Sequence, residues 1–110
     1  MLTEIQWSPH AKEQFMNILA EIGQALSPED AFRWRQTILS HISTLADFPK
    51  IGMRIPKACF LTVPDNASAL RQTFCKPYRI VYEHVGNKIN ILSLHHCRML
   101  VHESDTFWTD

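Results

Sequence analysis

Glycine occurs three times in these 110 residues and tyrosine twice, while hydrophobic side chains make up 45% of the chain. Scarce glycine beside this much apolar material excludes a disordered or low-complexity polypeptide and leaves an ordinary globular one. The length suits one domain, residues 1–110, with a single core. No apolar run approaches the roughly 18 residues that a membrane span requires. Met1-Leu2-Thr3-Glu4 has neither the basic nor the apolar region of a secretion signal, so a cytoplasmic location is expected. Cys59, Cys75 and Cys97 include no CxxC pair, and an odd count does not suggest a disulfide framework. In a reducing compartment they read as small buried hydrophobes. His95-His96 beside Cys97 could suggest zinc, but successive strand residues point to opposite faces, so no metal site is expected, and no cofactor.

A surplus of charge of either sign is also missing, with 11 basic residues against 11 acidic ones. Nonspecific phosphate binding rests on many Lys and Arg contacts, so whole-surface attraction to nucleic acid is excluded. The balance hides a local asymmetry. Residues 70–98 hold Arg71, Lys76, Arg79, Lys88 and Arg98 against Glu83 alone. Residues 1–50 carry a small acidic excess, and residues 99–110 hold Glu103, Asp105 and Asp110 with no Lys or Arg. A cationic patch on a small sheet is a surface that meets phosphates or an acidic partner peptide.

Residues 2–7 read as a short strand with Ile5 and Trp7 on one face. Ser8-Pro9 is a helix start, a hydroxyl cap followed by proline where its missing N–H is harmless. Ala11, Phe15, Ile18, Leu19 and Ile22 then form an apolar stripe, with Gly23 at the expected helix end. Ser27-Pro28-Glu29-Asp30 repeats the start signal, with acids in the first turn. Ala31, Trp34, Ile38, Ile42 and Leu45 run down one face of a second helix of about five turns, which Phe48-Pro49 ends. Few residues join the two helices, so they form an antiparallel hairpin, with Trp7 and Trp34 as core aromatics beneath it.

Residues 49–69 read as a loop, with a short strand or turn around Cys59–Val63. Strands are expected at 69–75, 77–85 and 88–96, the last two joined through Gly86-Asn87. The final strand is apolar on both faces and therefore central. The result is an α+β fold, β-α-α-β-β-β: a strand, a two-helix hairpin, then a three-stranded antiparallel meander. The hairpin covers one sheet face, and the other is wet or covered by a partner.

Several segments carry a resemblance. They are Ile5-Gln6-Trp7-Ser8-Pro9-His10-Ala11, Leu45 to Gly52, Leu70-Arg71, Tyr78-Arg79-Ile80-Val81-Tyr82, and Ile89 to Arg98. In this order they resemble the RelE/ParE superfamily of toxins from bacterial type II toxin–antitoxin modules. The resemblance implies a small intracellular poison held inactive by a cognate antitoxin with an acidic C-terminal segment, as a homodimer or in a heterotetramer with that antitoxin. RelE-like members cut ribosome-bound mRNA, and ParE-like members inhibit DNA gyrase.

Cleavage of RNA through its 2′-hydroxyl needs a proton acceptor, a proton donor and cations for the charged transition state. Arg79 stands at the transition-state arginine of RelE-like toxins, and Arg98 at or next to a second family arginine. His95 or His96 would have to supply the proton transfers. The lysine pair that RelE-like enzymes carry before Tyr-Arg is missing, and no tyrosine follows Tyr82. The long hairpin also looks ParE-like. Gyrase inhibition is therefore expected, with Arg71, Lys76, Arg79 and Arg98 contacting antitoxin or target. An mRNA endoribonuclease and a decayed, non-toxic antitoxin-binding module are the alternatives. Arg79 reads either as a functional cation or as an ion-pair partner of Glu83 on the same strand face.

Overall fold

A computed structural model describes residues 3–56 and 63–97. Strand β1 (Glu4–Trp7) is followed by helices α1 (Pro9–Ala25) and α2 (Pro28–Asp47). Strand β2 (Met53–Arg54) comes next, then a 3₁₀ turn (Ala67–Ala69) and strands β3 (Leu70–Cys75), β4 (Tyr78–Val85) and β5 (Lys88–His96). The five strands form one sheet in the order β1-β5-β4-β3-β2. β1 runs parallel to β5, and the β2–β3, β3–β4 and β4–β5 pairs are antiparallel.

Both helix starts form as their sequences dictate. Ser8 Oγ accepts from Ala11 N at 3.0 Å, and Ser27 Oγ accepts from Asp30 N at 3.1 Å while donating to Asp30 Oδ2. That hydroxyl contact, followed by the pairing with Arg33, holds the Asp30 carboxyl below its usual range. Helix α1 passes through Gly23 and ends at Ala25. No left-handed glycine cap is needed, because Leu26 leaves the helix at negative φ and Ser27 is already extended. A Cβ at Gly23 would make only ordinary contact with Ala31, so the position marks helix–helix packing, not a terminus.

The meander forms close to its expected limits, and positive φ in its second turn is confined to Gly86, at 60°. Glycine at the first central position matches the geometry that keeps right-twisted strands together. β5 lies between β1 and β4, as its apolar sequence requires. The two-residue β2 is an addition to the expected pattern, too short to show a periodicity. The strand or turn expected around Cys59–Val63, together with Arg98 and the tail from Met99 to Asp110, falls largely or wholly outside the described residues.

A register shift organises the sheet. Val81 pairs with Ser93, but Tyr82 pairs with Ile91, which leaves Leu92 as an extra residue in β5. Ile89, Ile91 and Leu94 can therefore all face the hairpin, where they join Ala11, Ile38, Ile42, Leu45, Ile80 and Tyr82 in the core. Trp7 packs on Phe15 at 5.2 Å between ring centres, and Trp34 meets the edge of Tyr78 at 5.4 Å. Both aromatics lie against that core.

The centre of the face turned away from the hairpin is buried, whereas Phe74, Arg79 and Glu83 around it are partly exposed. Leu70, Val81 and Ser93 are fully buried there, and His95 is 3% exposed. Beyond Trp7, β1 no longer borders β5, and α1 closes the remaining edge. Ser8 N donates to Ile91 O, Ser8 Oγ to Leu92 O, and Leu94 N to Gln14 Oε1 at 2.7 Å. An open edge would invite association with other strands, and these contacts occupy it.

Ser8 thus caps α1 and grips the bulge at once. Ser8→Ala should cost about 1–2 kcal/mol, read as a lower midpoint in urea unfolding. An unchanged midpoint would show that neither contact contributes to stability.

Candidate functional site

The cationic stretch seen in the sequence divides between two faces of the sheet. Arg71, opposite Tyr82, lies on the hairpin side, whereas Arg79, opposite Phe74 and His95, lies on the outer side.

On the hairpin side, Arg71 belongs to a latch that anchors the segment between α2 and β2. Gly52 N donates to Tyr82 Oη at 2.9 Å, and Tyr82 Oη donates to Pro49 O at 2.8 Å. Arg71 Nη1 donates to Gly52 O at 2.6 Å. A Cβ at position 52 would fall 2.5 Å from Tyr82 Oη and 2.8 Å from Gln72 O, so only glycine fits. Burial raises the Tyr82 phenol above its ordinary range, with the Gly52 hydrogen bond and the charge of Arg71 opposing it. The latch aligns Met53 with Gln72, and so creates β2. It links Leu45 to Gly52, Leu70-Arg71 and Tyr82, which are far apart in sequence.

On the outer side, the Arg79 guanidinium carbon stands 5.6 Å from the centre of the Phe74 ring. This is within the range of a cation–π contact. The Glu83 carboxylate accepts from Asn66 Nδ2 at 2.9 Å and Asn90 Nδ2 at 3.0 Å. The Arg79–Glu83 pairing considered from sequence is therefore not formed. His95, across from Arg79, has Nδ1 2.7 Å from Ser93 Oγ, which lies 3.1 Å from Gln14 Oε1. Burial first, then the charges of Arg79 and His10, push the His95 imidazole down to about 4. It is neutral at pH 7.

His96 points the other way, its ring against the edge of Tyr78 at 6.0 Å between centres. The two histidines occupy opposite faces, as alternation required. Lys76 is exposed in the turn between β3 and β4. Of the described residues proposed from sequence, only Arg79 and His95 come together. Ser93, Gln14 and His10 were missed. Ser93 and Gln14 look like ordinary polar positions until the bulge and the α1 contact place them beside His95.

A family model described as "ParE toxin of type II toxin-antitoxin system, parDE" matches residues 5–101. The chain belongs to the ParE toxin family. No curated protein matches it significantly. Among solved structures, the chain is similar to one titled "Chromosomal ParDE TA system from P. aeruginosa", with a TM-score of 0.66 and 18% identity. The alignment covers 86% of this chain and 96% of that one. At this identity the likeness shows the fold, and the family match shows the ParE-type toxin of a type II toxin–antitoxin system. Among the described residues of this ParE-family toxin, no helix is long and apolar enough to cross a membrane.

Two outcomes test these sites. Tyr82→Phe leaves Gly52 N and Pro49 O without their partner in a buried place, and should cost about 2 kcal/mol in chemical unfolding. A loss below a few tenths would show that the latch is not a source of stability. Above about pH 6.5 His95 is neutral in folded and unfolded chains alike, but between there and about 4 only the unfolded chain takes up its proton. Stability should therefore fall as the pH drops through this window, by up to about 3 kcal/mol from His95. The desolvated His41 adds a loss of the same sign. Thermal unfolding at pH 7 and 4.5 should show a larger drop for the wild type than for His95→Gln, and equal drops would refute the assignment.

Proposed function

We propose that this toxin arrests growth by inhibiting DNA gyrase, and that a cognate antitoxin neutralises it by laying an acidic C-terminal segment on the cationic face around Arg79. The observation that carries the reading is the ParE family match over residues 5–101. The arrangement of side chains supports it. An RNA-cleaving site needs an acid, a base and cations at one point. Here Arg71 donates to the Gly52 carbonyl, His96 packs on Tyr78, and His95 is neutral within a buried network. Arg79 supplies positive charge on the outer face, over Phe74 and across from His95, with Lys76 exposed on the neighbouring turn, and an acidic partner would meet both. Arg71 contributes to docking through the latch that positions residues 50–52. The balanced total charge fits a protein target better than the ribosome, a polyanion.

One feature favours the mRNA endoribonuclease as second reading: Arg79 and His95 are cross-strand neighbours. A base held near 4 is poorly matched to general base catalysis at neutral pH, which places that reading behind gyrase inhibition.

Purified toxin added to gyrase and relaxed plasmid should block supercoiling, and Arg79→Ala should raise the concentration required by about tenfold. Normal supercoiling at excess toxin, with toxin-dependent cuts in translated mRNA, would replace this function by the endoribonuclease.

A further inference from the structure

Strand β1 leaves the sheet at Trp7, where Ser8 turns the chain into α1 and its hydroxyl grips Leu92 O. A cleft of about 270 Å³ opens at this junction, lined in part by Gln6, Trp7, Pro9, Glu83, Asn90 and Leu92. Gln6 stands opposite Asn90, and Asn90 opposite Glu83, so one row of the sheet crosses it. Pockets for small molecules run from roughly 300 Å³ upward. This cleft is therefore sized for one side chain and not for a whole metabolite.

Glu83 is the acid in the cleft, and its carboxylate is held from two sides. Oε2 accepts from Asn66 Nδ2 at 2.9 Å, and Oε1 accepts from Asn90 Nδ2 at 3.0 Å. Asn66 precedes the 3₁₀ turn and Asn90 belongs to β5, so the two amides fix the orientation of the group between them. Neither partner is a cation. Among the described residues the ion pair is Arg33 with Asp30, and none reaches Glu83. Lys88 lies in the next row, opposite Glu4, and is exposed.

A partly buried carboxylate with amide partners alone gains most from an external cation, because the charge is less screened there than in open solvent. A carboxylate offers about four acceptor positions. One amide on each oxygen leaves each oxygen a further position, and the two are equally loaded. The planar fork of a guanidinium fills such a matched pair with two parallel N–H bonds, whereas an ammonium is a single point of charge. Trp7, Pro9 and Leu92 add apolar walls of the kind that a methylene stem covers while its charged head is held at the end.

We propose that this cleft is a receptor for an arginine side chain of a protein partner, with Glu83 pairing to the guanidinium and Asn66 and Asn90 positioning the carboxylate. It recognises a basic anchor, opposite in charge to the acidic segment proposed for the surface around Arg79. The receptor chemistry rests on neither the antitoxin nor gyrase.

The test uses the isotope-labelled full-length chain and follows the side-chain amide resonances of Asn66 and Asn90. The probes are N-acetyl-arginine N-methylamide, its lysine and citrulline counterparts, and free arginine, all at constant ionic strength. The blocked arginine should shift both amides saturably, and bind several-fold more tightly than the lysine probe. Glu83→Gln should weaken it by about tenfold. Asn90→Ala should bring the preference for arginine over lysine down toward equality. Absence of a saturable shift in the wild type overturns the receptor whether or not the variants fold. Undiminished binding by Glu83→Gln overturns the role of Glu83, and an unchanged preference in Asn90→Ala overturns the positioning role. Equal binding of lysine overturns the choice of guanidinium, and equal binding of citrulline overturns the pairing of charges. Tighter binding of free arginine than of the blocked form assigns the cleft to the amino acid and overturns the protein partner. Failure here leaves the toxin's target untouched, and normal supercoiling in the presence of toxin leaves this receptor untouched.

Discussion

One extra residue in β5, Leu92, decides how both faces of the sheet are used. It lets Ile91 and Leu94 enter the same core, and in doing so it moves Ser93 and His95 to the outer face beside Val81 and Arg79. Strict alternation would have put His95 on the face of Ile91, beneath the hairpin. The contacts of Ser8 with Ile91 and Leu92 hold this shift where β1 gives way to α1. Helix start, sheet edge and candidate site are therefore parts of one local solution. A bulge in such a position re-aims a side chain at the cost of one irregular pair in the ladder.

The second constraint lies on the hairpin side. Tyr82 combines a buried ring in the core with a hydroxyl that satisfies two backbone groups of the segment after α2. With Arg71 and Gly52 it converts an irregular connection into a fixed edge of the sheet. Arg71 consequently has a positional role in the fold, whatever it also does in recognition. Arg79 differs, since its charge sits over Phe74 and across from a neutral imidazole on the face proposed to meet acidic partners.

These two sites make different demands on the same strand pair. The latch concentrates saturated hydrogen bonds, whereas the outer face holds an imidazole nitrogen without one. The latch and the surface proposed for recognition thus lie on opposite sides of one sheet. Substitutions at Tyr82 and at Arg79, three residues apart on β4, therefore report on different properties.

The helices, their caps and the meander were legible in the chain because they depend on local rules: Ser-Pro starts, apolar spacing, proline breaks and a Gly-Asn turn. The family resemblance was legible too, since its segments keep their order, and the family match bears it out. Three features were hidden. The burial of the outer face was read as solvent or partner contact, because alternation does not reveal what crosses a sheet. β2 was missed because two residues carry no period, and its pairing comes from the distant latch. The His95 network was missed because a bulge arises from the competing packing of Ile91 and Leu94 against the helices, not from any residue type at position 92. Residue order thus specifies the elements and the candidate cations. Tertiary packing alone specifies that Arg71 and Arg79 part company and that Ser93, Gln14 and His95 meet on the strand opposite Arg79, since those positions depend on register and on the docking of α1.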